Sequence, residues 1–287
     1  MSDALVSTEW LASRLGAPDV RVVDASFKMP GVTPTAREDY SAGHIPGAVF
    51  FDIDEIAELD SPLPHMLPAA EKFASRMRRL SLGDGNRIVL YDADGVAGAA
   101  RAWWMFRVFG HGDISVLDGG LRKWRAEGRP LDDLPPMPRE RHFTARLNTM
   151  LVRDRDQILA NLASGREQVL DARNPGRFRG EAVEPWPGRR QGHIPGSLNL
   201  DHTLLVDPAT GTLQPPEVLA QLFESAGIEP KRPIVTSCGS GITACVLALG
   251  LHLAGYRDVA VYDGSWAEWG LPDGPPIETG PPRPRAE

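Results

Sequence analysis

The chain has 287 residues and a formal net charge of −7, with 42% hydrophobic and 24% charged residues. That is long for one ordinary core and ample for two, in a composition typical of soluble globular proteins. The acidic balance excludes the basic face of a nucleic-acid binder, and no apolar run nears the ~20 residues that cross a bilayer.

The opening stretch MSDALVSTEWLASRLG has no basic run followed by an apolar core, so it does not read as a signal peptide. It predicts a helix starting at Ser7 or Thr8, with either hydroxyl able to cap it. Short β-branched runs at 21–24, 87–91 and 114–117 then alternate with helical patterns at 69–80 and 101–109. The second half repeats the scheme: strands at 168–171, 233–237 and 259–262, helices at 216–226 and 242–254. Such alternation predicts an α/β fold, each sheet parallel and covered by helices on both faces.

The chain is a duplication. Val23-Asp24-Ala25 aligns with Leu170-Asp171-Ala172 at an offset of 147, and Gly43-His44-Ile45-Pro46-Gly47 with Gly192-His193-Ile194-Pro195-Gly196 at 149. Asp118-Gly119-Gly120 aligns with Asp263-Gly264-Ser265 at 145. The period far exceeds a solenoid repeat. The expected layout is a first domain over 1–129, a linker over 130–150, a second domain over 151–274 and a Pro-rich tail over 275–287. Pro135, Pro136 and Pro138 should stiffen and extend the linker, and the tail should be loose.

Two cysteines, Cys238 and Cys245, are too few for a secreted disulfide scaffold and badly spaced for zinc. They suit a reducing cytoplasm, with no metal or other cofactor expected. Cys238 opens the segment Cys238-Gly239-Ser240-Gly241-Ile242-Thr243, between a buried strand and a helix. A thiol there stands at the C-terminal end of a parallel strand, where open α/β sheets bind ligands. The glycines let several N–H groups converge, which favours a thiolate and a persulfide anion on the same sulfur. The plain alternative is a small core cysteine, the reading we give Cys245. A phosphatase loop would need an arginine to clamp phosphate, and this loop has no basic residue. In the first half the strand alignment puts Asp92 where Cys238 stands, so that half has no thiol to react. Its expected role is to cover the site and lend residues to it.

These segments resemble the two-domain rhodanese family over nearly the whole chain. The resemblance rests on His44-Ile45-Pro46-Gly47, Trp103-Trp104-Met105-Phe106-Arg107, Val116-Leu117-Asp118-Gly119-Gly120, His193-Ile194-Pro195-Gly196 and the Cys238 loop. It implies two rhodanese-like domains and sulfur transfer in two steps through a persulfide on Cys238. The loop is similar to that of the members that use 3-mercaptopyruvate; thiosulfate-using members carry basic side chains there, and remain the alternative. The acceptor would be a small thiol, cyanide or reduced thioredoxin, with no nucleic acid or membrane involved. Gly239, Gly241, Ile242 and Thr243 would bind substrate with Arg177, which resembles the family arginine that holds the donor's acidic end. Arg173 and Arg179 read equally well as plain surface charges. The resemblance also implies an Asp–His–Ser set, here Asp54, His65 and Ser240, able to move the mercaptopyruvate thiol proton. The plain reading of His65 is a hydrogen-bonded interface histidine. His44 and His193 recur in both halves and read as turn-fixing residues. Many mercaptopyruvate-using members carry a second arginine nine residues after the first. This chain has Trp186 there, with Arg189 and Arg190 close behind as possible substitutes.

Overall fold

The structure, a computed structural model, describes residues 4–137, 139 and 141–282. Pro138 and Glu140 of the expected linker and residues 283–287 of the expected tail lie outside them. In the first half come β1 (Leu5–Val6), α1 (Thr8–Arg14), β2 (Val20–Asp24), α2 (Ala36–Ala42), β3 (Val49–Phe50), α3 (Ile53–Ile56), α4 (Ala70–Arg79), β4 (Arg87–Tyr91), α5 (Ala97–Val108), β5 (Ile114–Leu117) and α6 (Gly120–Ala126). The second half has β6 (Val152–Arg153), α7 (Arg155–Ser164), β7 (Gln168–Asp171), α8 (Pro175–Arg179), β8 (Leu198–Asn199), α9 (Pro216–Ser225), β9 (Ile234–Ser237), α10 (Ala244–Leu253), β10 (Val259–Tyr262) and α11 (Ser265–Trp269). Each half builds one five-stranded sheet, in the orders β1-β5-β4-β2-β3 and β6-β10-β9-β7-β8, and every pairing is parallel. Ser7 caps α1 through its side chain, as its place in the sequence suggests. No helix among the described residues is long and apolar enough to cross a membrane.

The central strands β4 and β9 are buried on both faces, as strands of a parallel sheet covered by helices are. Helices α5 and α10 are buried nearly all round, which is why neither shows a polar stripe in sequence. In the first unit an aromatic cluster links Phe73 to Phe106, Phe109 and Phe143; Phe73 stacks on Phe109 at 4.3 Å. Phe143 comes from the expected linker. That stretch runs extended along the first unit: Asp132 pairs with His44, Asp84 N–H donates to His142 O, and Arg146 N–H donates to Phe109 O. The tail is not loose where it begins. Trp269 Nε1 donates to Pro276 O, Glu278 bridges to His193, and Gly280 N–H donates to Arg179 O.

Contacts divide the chain into two units. The first comprises Met1–Asp60, Leu67–Asn148 and Asp207–Leu213; the second comprises Ser61–Met66, Thr149–Val206 and Gln214–Glu287. The short excursions are counterparts in the repeat, since their first residues, 61 and 207, differ by 146 and their last, 66 and 213, by the strand offset of 147. Each half therefore gives one loop to the unit built by the other.

Candidate active site

Strand β9 is the middle strand of its sheet, and Cys238 follows its last residue. The thiol residue is 1% exposed, and Gly239, Ser240, Gly241 and Ile242 are buried with it. Helix α11 clamps the start of the loop. Trp266 N–H donates to Cys238 O at 2.9 Å, and Ala267 N–H donates to Gly239 O at 2.7 Å. Cys238 N–H donates to Ser265 Oγ at 3.1 Å, and that hydroxyl donates to Tyr262 O at 2.8 Å. Ser265 holds a left-handed φ of +48°, unusual for a residue with a side chain, so surrounding structure must fix it.

The rest of the loop is left open. The N–H groups of Gly239, Ser240, Ile242 and Thr243 donate to no acceptor among the described residues. Buried backbone donors are almost always paired, so such a set is a ready-made anion site. Gly241 supplies the turn, at φ +79°.

Arg177 reaches this loop from α8, whose N-cap Asn174 accepts from Arg177 N–H. A Cβ on Gly239 would lie 2.8 Å from Arg177 Nη2, so glycine is what lets the guanidinium approach the backbone. Glu184, 6% exposed, holds that guanidinium by accepting from Nη2 at 2.6 Å and from Nε at 3.2 Å. Glu184 also accepts from Arg173 Nη1 at 2.8 Å. Arg173 in turn donates to Asp171 and to Gly192 O, and lies 4.3 Å over the Trp266 ring. Two carboxylates and two guanidinium groups thus form a charge-balanced buried network. Burial pulls the Arg173 guanidinium down, but Asp171 and Glu184 outweigh it and hold it above its ordinary value. Arg173 is no surface charge: it is 1% exposed, and it anchors the group that anchors Arg177. Arg177 Nη1 has no acceptor among the described residues and stays available to a ligand.

Ser240 Oγ and His65 Nδ1 are hydrogen-bonded at 2.9 Å. His65 is buried, belongs to the second unit through the segment Ser61–Met66, and has φ +60°. The Trp186 ring meets its imidazole edge-on, with centroids 5.6 Å apart at 71°. Asp54 is on α3 in the first unit, where with Lys28 and Arg37 it lines a cavity of ≈ 220 Å³. The proposed substitutes for a second arginine are largely committed. Arg190 Nη2 donates to Trp269 O and Pro275 O, and Arg189 donates to Ala267 O and Pro187 O. Cys245 is 0% exposed and its thiol donates to Gly241 O. His44 and His193 each turn Nδ1 to a backbone carbonyl, of Tyr40 and Phe178, as turn-fixing residues do.

The first unit repeats the loop's frame without its chemistry. Leu121 N–H donates to Asp92 O, the counterpart of the Trp266–Cys238 bond. Asp92 accepts from Gly98 N–H at 2.8 Å and from Asp94 N–H at 3.3 Å, and burial pushes its carboxyl up to about 7. Sequence reasoning missed Glu184 and Ser265. The only trace of Ser265 was the change from Asp-Gly-Gly to Asp-Gly-Ser between the repeats.

The family model for the rhodanese-like domain matches twice, over residues 7–127 and 154–271. Human 3-mercaptopyruvate sulfurtransferase is 44% identical over 272 residues, covering 93% of this chain and 91% of that protein. Mouse thiosulfate sulfurtransferase is 44% identical over 276 residues, with the same two coverages of 93% and 91%. Among solved structures, SseA from Escherichia coli, described with the 3-mercaptopyruvate sulfotransferases, superposes with a TM-score of 0.85 at 38% identity. It covers 92% of this chain and 99% of that chain. Relatives that bear the two different donor names are equally similar, so identity alone does not choose between donors.

Proposed function

Because this chain belongs to the rhodanese family, we propose that it is a sulfurtransferase that takes sulfur from 3-mercaptopyruvate onto Cys238. The observation that carries the reading is the buried loop after Cys238, whose four open N–H groups suit a persulfide anion. The Cys238 thiolate attacks the donor sulfur. An S–S bond forms and the donor C–S bond breaks, its electron pair moving onto the carbon as the enolate of pyruvate. The donor's thiol proton passes through the Ser240 hydroxyl, held by His65, to that carbon, and pyruvate leaves. Asp54 is the carboxylate we assign to this relay. Arg177 binds the donor carboxylate through its open Nη1, and Gly239, Gly241, Ile242 and Thr243 line the rest. An acceptor thiol then takes the outer sulfur and returns Cys238 to the thiolate. A small thiol, cyanide or reduced thioredoxin suits that step, and both cysteines being free suits a reducing cytoplasm.

The second reading, transfer from thiosulfate, is favoured by one observation: the equal similarity to a thiosulfate sulfurtransferase. Thiosulfate brings no thiol proton and leaves as sulfite, so it makes no use of Ser240. Steady-state kinetics of Ser240→Ala with both donors separate the readings. The expected outcome is a loss of about 10²-fold or more with mercaptopyruvate and little change with thiosulfate. Equal losses would remove the proton relay. Mass spectrometry after donor treatment should find one added sulfur on Cys238; no adduct with either donor would end both readings.

A further inference from the structure

We infer that His202 is a catalytic residue for the second step of the transfer, the base that takes the proton of an incoming acceptor thiol. The inference rests on the sulfur-transfer reading above and adds a residue that the Ser240 relay does not use. Strand register brings His202 to the reactive edge. Asp171 on β7 stands beside Asn199 of β8 on one side and Ser237 of β9 on the other. At that level the chain leaves β8 and enters the 3₁₀ turn His202–Leu205, and Cys238 leaves β9. His202 N–H donates to Ala172 O at 3.2 Å, and Ala172 N–H donates to Ser237 O at 2.8 Å. His202 therefore stands two strands from Cys238 at the same C-terminal edge, roughly 10 Å away at the usual strand spacing. A persulfide bond of ~2 Å and an attacking sulfur ~3.5 Å beyond it fit within that span.

The ring is set for the task. His202 Nδ1 lies 3.1 Å from Ala172 O, which can only accept, so this nitrogen carries the proton of the neutral ring. The same bond draws the ring toward β7, the strand between His202 and Cys238. Asp201 Oδ1, 3.6 Å from Nδ1, adds a second acceptor beside that nitrogen. Nε2 then presents a lone pair and has no partner among the described residues. The His202 side chain is 29% exposed, so an acceptor can meet it from solvent. His65 is buried and engaged with Ser240 instead. In the step itself the acceptor thiol gives its proton to Nε2, and its sulfur bonds to the outer sulfur of the persulfide. The Cys238 Sγ–S bond breaks and its electron pair stays on Sγ. Nε2 returns the proton to the transferred sulfur, which leaves as the acceptor's persulfide.

The test isolates that step. Cys238 is loaded with sulfur from mercaptopyruvate or thiosulfate, the donor is removed, and discharge by an acceptor is followed by mass spectrometry. His202→Asn keeps an N–H for Ala172 O and removes the base. An alkyl thiol of pKa ~8.5 is only ~3% ionised at pH ~7, so the base can gain at most about 30-fold by ionising it. Discharge by 2-mercaptoethanol should therefore slow about 10- to 30-fold in the variant. Discharge by sulfite should hold, because sulfite attacks through a sulfur lone pair and has no S–H proton to lose. Equal slowing with both acceptors would make His202 a structural residue, and an unchanged thiol rate would leave it no part in the step; either result overturns the inference. Failure of the underlying reading looks different: Cys238 would then take up no sulfur from either donor, in the wild type as in the variant.

Discussion

Replacing Glu184 by glutamine tests whether the buried charge network holds Arg177, to which we assign the donor's carboxylate. The amide keeps the shape of the side chain. It puts an NH₂ group where guanidinium N–H groups now donate, and leaves Arg173 and Arg177 with Asp171 as the one remaining carboxylate of the network. Removing one partner of a buried ion pair costs ~3–5 kcal/mol. Arg177 is 20% exposed and can swing toward water, whereas Arg173 is sealed in, so the cost should fall near ~3 kcal/mol. For a domain of this size that lowers the urea midpoint of the second unit by about 1–2 M. Hydrogen-exchange mass spectrometry on peptides from β7 and β9 would assign the loss to that unit. The released guanidinium should also raise KM for an anionic donor about tenfold, the equivalent of ~1.4 kcal/mol. An unchanged midpoint together with an unchanged KM would mean that Glu184 neither stabilises the second unit nor presents Arg177.

Gly239→Ala should place a methyl group against Arg177 Nη2, which Glu184 prevents from yielding, and so raise donor KM with only ~1 kcal/mol lost in stability. Kinetics beside thermal unfolding check this, and an unaltered KM would show that the guanidinium gives way freely. Cys238→Ser should abolish transfer while Cys245→Ser keeps most of it; substantial turnover by the first variant would sink the mechanism. Asp92→Asn concerns pH. The buried carboxyl has a raised value of about 7, so its contribution to stability is full below pH ~4 and is lost as pH rises toward 7, by up to ~4 kcal/mol. The variant should therefore match the wild type at pH 4 and exceed it at pH 8 in the melting of the first unit. A constant difference between the two pH values would show that Asp92 titrates normally.

The strands were legible because buried parallel strands are continuous apolar runs: 87–91, 114–117, 168–171 and 259–262 match their observed bounds. The four edge strands were not, since two residues carry no period. The place of the Cys238 loop between β9 and α10 was legible because a Gly-rich segment between a β-branched run and a helical pattern reads as a strand-to-helix turn. Its supports were not. A glutamate in Glu184-Pro185-Trp186-Pro187-Gly188 reads as a solvated turn, and only folding brings it to Arg173 and Arg177. Arg173 looked like a surface charge for the same reason: its partners Asp171, Glu184 and Gly192 O converge only in three dimensions. His65 was set with Ser240 only through the family resemblance, because nothing in its own stretch of sequence shows that it packs in the unit built by the other half.

The exchange of counterpart loops makes this duplication hard to undo. A chain cut near residue 149 would yield a C-terminal fragment with Cys238, Arg177 and Glu184 but without His65, which is encoded some eighty residues upstream of the cut. The N-terminal fragment would likewise lose Asp207–Leu213, including the Leu213 N–H that donates to Asp118. Modular shuffling of either half into another protein would thus carry away an incomplete part. The hydrogen bond between His65 and Ser240 joins residues encoded in both halves, so a repeat with no nucleophile of its own still supplies part of the Cys238 loop's surroundings.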